Sequence, residues 1–198
     1  MDKKSRFRGS MIGLATGDAL GATIEFKMAG TYPLMTDIIG GGFLKLKPRQ
    51  WTDDTTMALC LAESLMECNG FDAYDQMDRY LKWYRTGYMS SYGACRDIGH
   101  TTAKAMDKYA QFRNAYSGAT EPNTAGNGSI MRLAPVPLFF SNDYDAAVEH
   151  AALSSKTPHV ATEAVDAYEL PHTKVTGFLH STKCFAFNIQ LLKIKYEK

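Results

Sequence analysis

The sequence predicts an all-α fold: a single compact multi-helix domain over residues 1–168, followed by a tail, 169–198, of different character. Three observations predict it. Apolar residues recur three and four apart in one segment after another, which gathers them on one face of a helix. The segments open at Thr or Asp and close at Asn or Gly, the residues that cap and stop helices. No internal repeat or low-complexity tract competes with that pattern. A chain of 198 residues is also long enough for one domain that buries roughly 70% of its unfolded surface.

The first helix is predicted over residues 5–24, with Phe7, Met11, Leu14 and Ala15 at helical spacing. Gly9, Gly13, Gly17 and Gly21 recur every fourth position, a bare stripe that predicts close approach of another backbone or a ligand. Gly17-Asp18 is a place where the helix could break and turn a polar group inward. After the Gly40-Gly41-Gly42 connection, a second helix is predicted from Thr52 as cap to Cys68, with Ala58, Leu61, Ala62 and Leu65 as its core stripe and Asn69-Gly70 as its stop. The third runs from Asp72 as cap to Gly87, burying Met77, Tyr80, Leu81 and Tyr84; the fourth covers 101–112. Residues 113–128 are loop-like and long enough to suggest function. Shorter helices are predicted at 129–133, 144–154 and 161–168, with short loops between the elements. In the tail, Phe185, Phe187, Ile189 and Leu191 alternate at strand period, and beyond Leu170 the only acid is Glu197.

Lys and Arg number 22 against 21 Asp and Glu, so no net field draws the chain to nucleic acid or acidic lipid. Neither is expected as a partner. No stretch approaches the roughly 20 apolar residues of a membrane span, and the first residues lack the pattern of a signal peptide. A cytoplasmic protein is therefore expected. Cys60, Cys68, Cys95 and Cys184 form no Cys-x-x-Cys pair and are read as buried structural thiols.

Thr52-Asp53-Asp54-Thr55 carries the most chemistry, because adjacent carboxylates flanked by hydroxyls at a helix N-terminus can turn oxygens to one point. Oxygen-only ligands suit Mg²⁺ or Mn²⁺. A plain cap with acids complementing the helix dipole is the competing reading. Glu25 follows an apolar, glycine-lined segment, where a carboxylate is costly unless it is paired, metal-bound or protonated. Asn127-Gly128-Ser129 opens the predicted short helix, so that backbone N–H groups and two polar side chains could cradle an anion, or form an ordinary turn.

The order Gly17-Asp18-Ala19-Leu20-Gly21 with Glu25, Trp51-Thr52-Asp53-Asp54-Thr55, Asp97-Ile98-Gly99 with Thr101-Thr102, then Gly126-Asn127-Gly128-Ser129-Ile130-Met131-Arg132, resembles the ADP-ribosylglycohydrolases. The resemblance runs from Phe7 to Asp166. It implies an all-α fold and a binuclear Mg²⁺ or Mn²⁺ centre beneath an ADP-ribose cleft. It implies Thr52, Asp53 and Asp54 as metal ligands and Glu25 as a carboxylate beside the second metal, acting in water activation or acid chemistry. Asn127, Gly128 and Ser129 are implied as the diphosphate loop, and Asp97 with Gly99 as the border of the adenosine side. The implied activity is metal-dependent hydrolysis of the glycosidic bond between ADP-ribose and a protein side chain or small acceptor. The implied partners are an ADP-ribosylated protein or an ADP-ribose-containing small molecule.

Two departures accompany the resemblance. The family's late Asp-x-Asp-Thr cluster has no counterpart after Thr55, the last aspartate being Asp166, so a truncated or altered C-terminus is expected. Pro158 splits the family's Thr-His pair, which leaves His159 read as a surface or satisfied structural histidine. The alternative function is a catalytically impaired ADP-ribose-binding or interaction protein of the same fold. A phosphohydrolase with an aspartyl nucleophile is disfavoured, because residues 45–50 make a poor strand with Pro48 inside it. A helical scaffold without ligand leaves the acidic and glycine-rich loops unexplained.

Overall fold

Cap chemistry sets most of the helix ends. The computed structural model describes residues 2–28, 30–119 and 127–159. Within them lie α1 (Lys3–Gly21), α2 (Asp53–Glu67), α3 (Ala73–Thr86), α4 (His100–Phe112), α5 (Pro135–Phe139) and α6 (Tyr144–Lys156), with no strand among the described residues. Asp2, Asp72 and Asp143 cap α1, α3 and α6 through their carboxylates. Gly87, at φ 72°, closes α3 in the left-handed conformation, its N–H donating to Trp83 O at 2.8 Å. None of these helices is long and apolar enough to cross a membrane.

The core lies where α2 packs on α3 and α5, α3 on α4 and α5 on α6. Met57, Leu61, Leu65, Met77, Tyr80, Trp83, Met106, Tyr109 and Val136 are all but sealed from water. Leu14, Ala58 and Ala134 form a smaller cluster that fastens α1 to this body. Each large side chain so buried contributes roughly 1.5–3 kcal/mol. The predicted faces are found with additions and losses: Trp83 joins the core, while Phe7, Met11, Ala15, Ala62 and Tyr84 are only half-buried.

Other expectations are corrected. Residues 129–133 form turns, and the helix starts at Pro135, whose fixed φ suits a first helical position. α1 continues unbroken through Gly17 and Asp18 to Gly21. Among the described residues no atom lies within 4 Å of where a Cβ on Gly9 or Gly13 would stand, so none of them approaches these two glycines closely. Loops are not uniformly short, since the connection from α1 to α2 covers residues 22–52. Cys60 is buried, but Cys68 is exposed and Cys95 lies between. The predicted helix at 161–168, Cys184 and the alternating tail lie outside the described residues, as do residues 120–126 of the long loop.

The α1–α2 connection is folded back on the end of α1. Gly41 and Leu46 exchange backbone hydrogen bonds of 2.7 and 2.9 Å, and Thr23 Oγ1 donates to Gly40 O at 3.1 Å. Gly42, at φ 68°, lies so close to Ala22 that a Cβ would overlap the Ala22 carbonyl oxygen, whereas a Cβ on Gly41 would meet nothing. Gly42→Ala is therefore expected to destabilise the chain by at least ~2 kcal/mol and Gly41→Ala by about 1 kcal/mol, through the left-handed backbone alone. Gly13→Ala, in an open helix interior, should stabilise by ~0.5–1 kcal/mol. Urea unfolding of the three variants measures this order.

Candidate active site

The first turn of α2 has an unusual cap. Thr52 stands at the N-cap position but makes no capping bond with its own side chain. Asp18, on α1 and 5% exposed, takes that place. Its carboxylate accepts from Thr52 N at 3.0 Å, Thr52 Oγ1 at 2.5 Å, Thr55 N at 3.0 Å and Thr55 Oγ1 at 2.6 Å. A buried carboxylate is tolerable only with such partners. The sequence reading placed no role on Asp18, although its position after a helical glycine and beside the apolar face marked a polar group turned inward.

Asp53 and Asp54 begin α2 between those two anchored threonines. Burial, then repulsion from Asp54, Asp97, Asp18 and Glu25, pushes the Asp53 carboxyl well above the ordinary carboxylate range. Acids from four parts of the chain are thus brought near one another. Glu25 is half-buried in the turn after α1, directly before Phe26, which adopts a left-handed φ of 62°. The Gly40–Gly42 loop packs beneath that turn. Asp97 arrives on the loop between α3 and α4; burial raises its carboxyl and Asp18 adds repulsion, while the nearby Tyr92 hydroxyl favours the charged form. Gly99, the exposed N-cap of α4, is two positions further on.

The approach to this turn is fixed from the other side. Ser91 Oγ accepts from Trp51 N at 3.1 Å and donates to Trp51 O at 2.8 Å, and Gln50 Nε2 donates to Ser91 O at 3.2 Å. The oxygen donors Thr52, Asp53 and Asp54 are of the kind a hard divalent cation takes. Even so, among the described residues no group of three or more His, Cys, Asp or Glu side chains is arranged to hold an ion.

Residues 127–129 form a second locus. Asn127 is exposed, while Gly128 and Ser129 are buried, and among the described residues Ser129 Oγ has no hydrogen-bond partner. No helix starts at Ile130 to cradle an anion, because that segment is a turn. Arg132, fully buried, instead donates to Gly128 O at 2.6 Å and Ser154 O at 2.9 Å and lies over the Tyr80 ring. His159 is buried, which corrects the surface reading, and among the described residues its Nδ1 has no hydrogen-bond partner. Its ring lies against Gly128, where a Cβ would come within 2.5 Å of Cε1. A side chain at position 128 would require the ring to shift. The described contacts of this loop run to Arg132 and the end of α6 rather than to the acids.

A family model described as ADP-ribosylglycohydrolase matches residues 1–170. The chain belongs to the ADP-ribosylglycohydrolase family. It is 40% identical over 158 residues to the ADP-ribosylarginine hydrolase Tri1 of Serratia proteamaculans (strain 568), covering 80% of this chain and 43% of that protein. It is 36% identical over 137 residues to the ADP-ribosyl-[dinitrogen reductase] glycohydrolase of Rhodospirillum rubrum, covering 67% of this chain and 44% of that one. A solved structure described as an ADP-ribosylglycohydrolase-related protein complex superposes with a TM-score of 0.76 at 40% identity, covering 91% of this chain and 58% of that chain. The chain spans less than half the length of these two curated relatives. The family's helical fold is thereby shared by this ADP-ribosylglycohydrolase domain.

His159 gives the domain a pH dependence. Burial, helped by the Arg132 charge, lowers its imidazole from the ordinary 6.5 to about 3. Between those values the folded chain binds fewer protons than the unfolded one. The stability contributed by keeping this ring neutral is complete above the unfolded value and is lost as pH falls. His159→Gln is expected to reduce the fall of unfolding free energy between about pH 6 and pH 4 by about 1.4 kcal/mol per pH unit. Denaturant titrations of both proteins at stepped pH check it.

Proposed function

We propose that this chain acts in hydrolysis of the glycosidic bond between ADP-ribose and a protein side chain, with arginine as the first acceptor to test and a divalent cation, Mg²⁺ or Mn²⁺, as cofactor. The observation that carries the proposal is the crowding of Asp54, Asp97, Asp18 and Glu25 around Asp53. So much negative charge beside an oxygen-rich helix start is costly on its own and is relieved by a cation. Arginine comes from the Tri1 relatives, which are named for ADP-ribosylarginine.

The donor set fits such an ion in chemistry but supplies only part of a shell of about six oxygens. Thr52, Asp53 and Asp54 would hold it. When bound, a divalent cation would fix ribose hydroxyls and stabilise negative charge at oxygen. Glu25, half-buried on the turn after α1 and near enough to Asp53 to repel its charge, is the carboxylate suited to orient a water and take its proton as the glycosidic carbon gains oxocarbenium character. Gly128 and Ser129, with the Ser129 hydroxyl still free to donate, would receive the diphosphate, Asn127 would cover it from the exposed edge, and Asp97 with Gly99 would border the adenosine side. An ADP-ribosylated protein is the partner this reading requires.

A second reading, binding of ADP-ribose without turnover, is favoured by one observation: no group of three acidic, His or Cys ligands is arranged to hold a metal among the described residues. The two are separated by incubating the purified chain with ADP-ribosylarginine and ADP-ribosylserine peptides, with Mn²⁺ or EDTA, and measuring released ADP-ribose. Release that needs the cation and falls about 100-fold or more in Glu25→Gln, with ADP-ribose affinity kept, is the expected result. Affinity without release selects the binding protein. Absence of both would sink the proposal.

A further inference from the structure

We infer that Asp18 is a positioning residue: its buried carboxylate supplies both halves of a capping box to a helix it does not belong to, and so sets where Thr52, Asp53 and Asp54 point. The inference rests on the reading above that these three residues face the ADP-ribose site.

In a local capping box the N-cap side chain accepts from the N–H three positions on, and the residue there reaches back to the N-cap N–H. For α2 those two donors are Thr55 N and Thr52 N, and both go to Asp18, 37 and 34 positions away in sequence. Thr52 could have capped its own helix. Instead its hydroxyl hydrogen goes to Asp18 Oδ1, so the lone pairs of Oγ1 are turned away from α1. Thr55 Oγ1 donates to Oδ2 in the same way. Asp53 and Asp54 stand at the two positions between these anchors, so their Cα atoms are held at both ends against α1.

Simple attachment of α1 to α2 does not call for this arrangement. Leu14, Ala58 and Ala134 already join the helices, and a further apolar pair would do so without desolvating a carboxylate. Four donors converging on two oxygens also exclude the amide. Asn at position 18 would accept on one side only and turn its NH₂ toward a backbone N–H, Thr52 or Thr55, that cannot rotate away. The chemistry selects a carboxylate with fixed direction, as outer-shell partners do when they orient the groups that bind.

The test uses the whole chain with Asp18→Asn, Thr55→Val and Thr55→Ser, and two readouts. Amide hydrogen exchange at residues 52–55 reports the clamp, and Mn²⁺ titration followed by electron paramagnetic resonance, with and without ADP-ribose, reports what it positions. Asp18→Asn is expected to keep its helical circular dichroism and cooperative melting, exchange the Thr55 amide faster, and bind Mn²⁺ about 10- to 100-fold more weakly. Thr55→Val should shift both readouts in the same direction by less, and Thr55→Ser should restore them; this pair decides the matter if Asp18→Asn fails to fold. Unchanged exchange in Asp18→Asn overturns the inference, as does faster exchange with unchanged Mn²⁺ affinity, the mark of a merely structural tie. A wild-type chain that binds no Mn²⁺ overturns the metal reading instead. The positioning role is then read from ADP-ribose affinity, expected to fall in Asp18→Asn and Thr55→Val and to be kept in Thr55→Ser; unchanged affinity overturns it.

Discussion

A carboxylate on one helix that serves as the cap of another is the interaction on which the site depends. Burying Asp18 alone would cost several kcal/mol. Hydrogen bonds to a charged group contribute about 1.5–3 kcal/mol each, and the positive end of α2 adds its field, so four donors turn the cost into a gain. Two helices separated by a connection of some thirty residues acquire one relative position. The glycine loop then braces the Glu25 turn, and Ser91 braces Trp51, around a first turn that is already fixed.

The acids around α2 and the separate locus at residues 127–132 both hold charge or polarity that the described residues do not relieve. The Asp53 and Asp97 carboxyls are raised by burial and by their neighbours. Among the described residues, Ser129, Arg132 and His159 each keep a buried polar atom without a hydrogen-bond partner, at roughly 1–3 kcal/mol apiece. Phe26 holds a left-handed backbone beside Glu25. Such tension is tolerated where surrounding structure over-determines it, and the packed face of α2, α3 and α4, with Trp83, Tyr109 and Met57 sealed inside, is that support.

Several elements were legible in the sequence. α2 and α3 fall within a residue of their predicted ends because Thr52, Asp72 and Gly87 are local signals, complete within one turn of chain. The short helix after Ser129 was not, since Pro135, whose fixed φ suits a first helical position, sets the helical start downstream. The glycine stripe on α1 was read as close packing, yet Gly9 and Gly13 face open space: a missing Cβ permits an approach and does not supply the approaching atoms.

What the sequence by itself determined was the helical class, the caps, the apolar faces and the order of the acidic and glycine-rich motifs that marks the family. Only the tertiary structure decided that Asp18 meets Thr52 and Thr55, that Asp97 joins the other acids, and that the His159 ring lies against Gly128. The reason is range. Propensity and capping act over three or four residues, whereas the field at Asp53 and the space beside Gly128 are made by segments tens of positions away, whose meeting is fixed by how the helices pack.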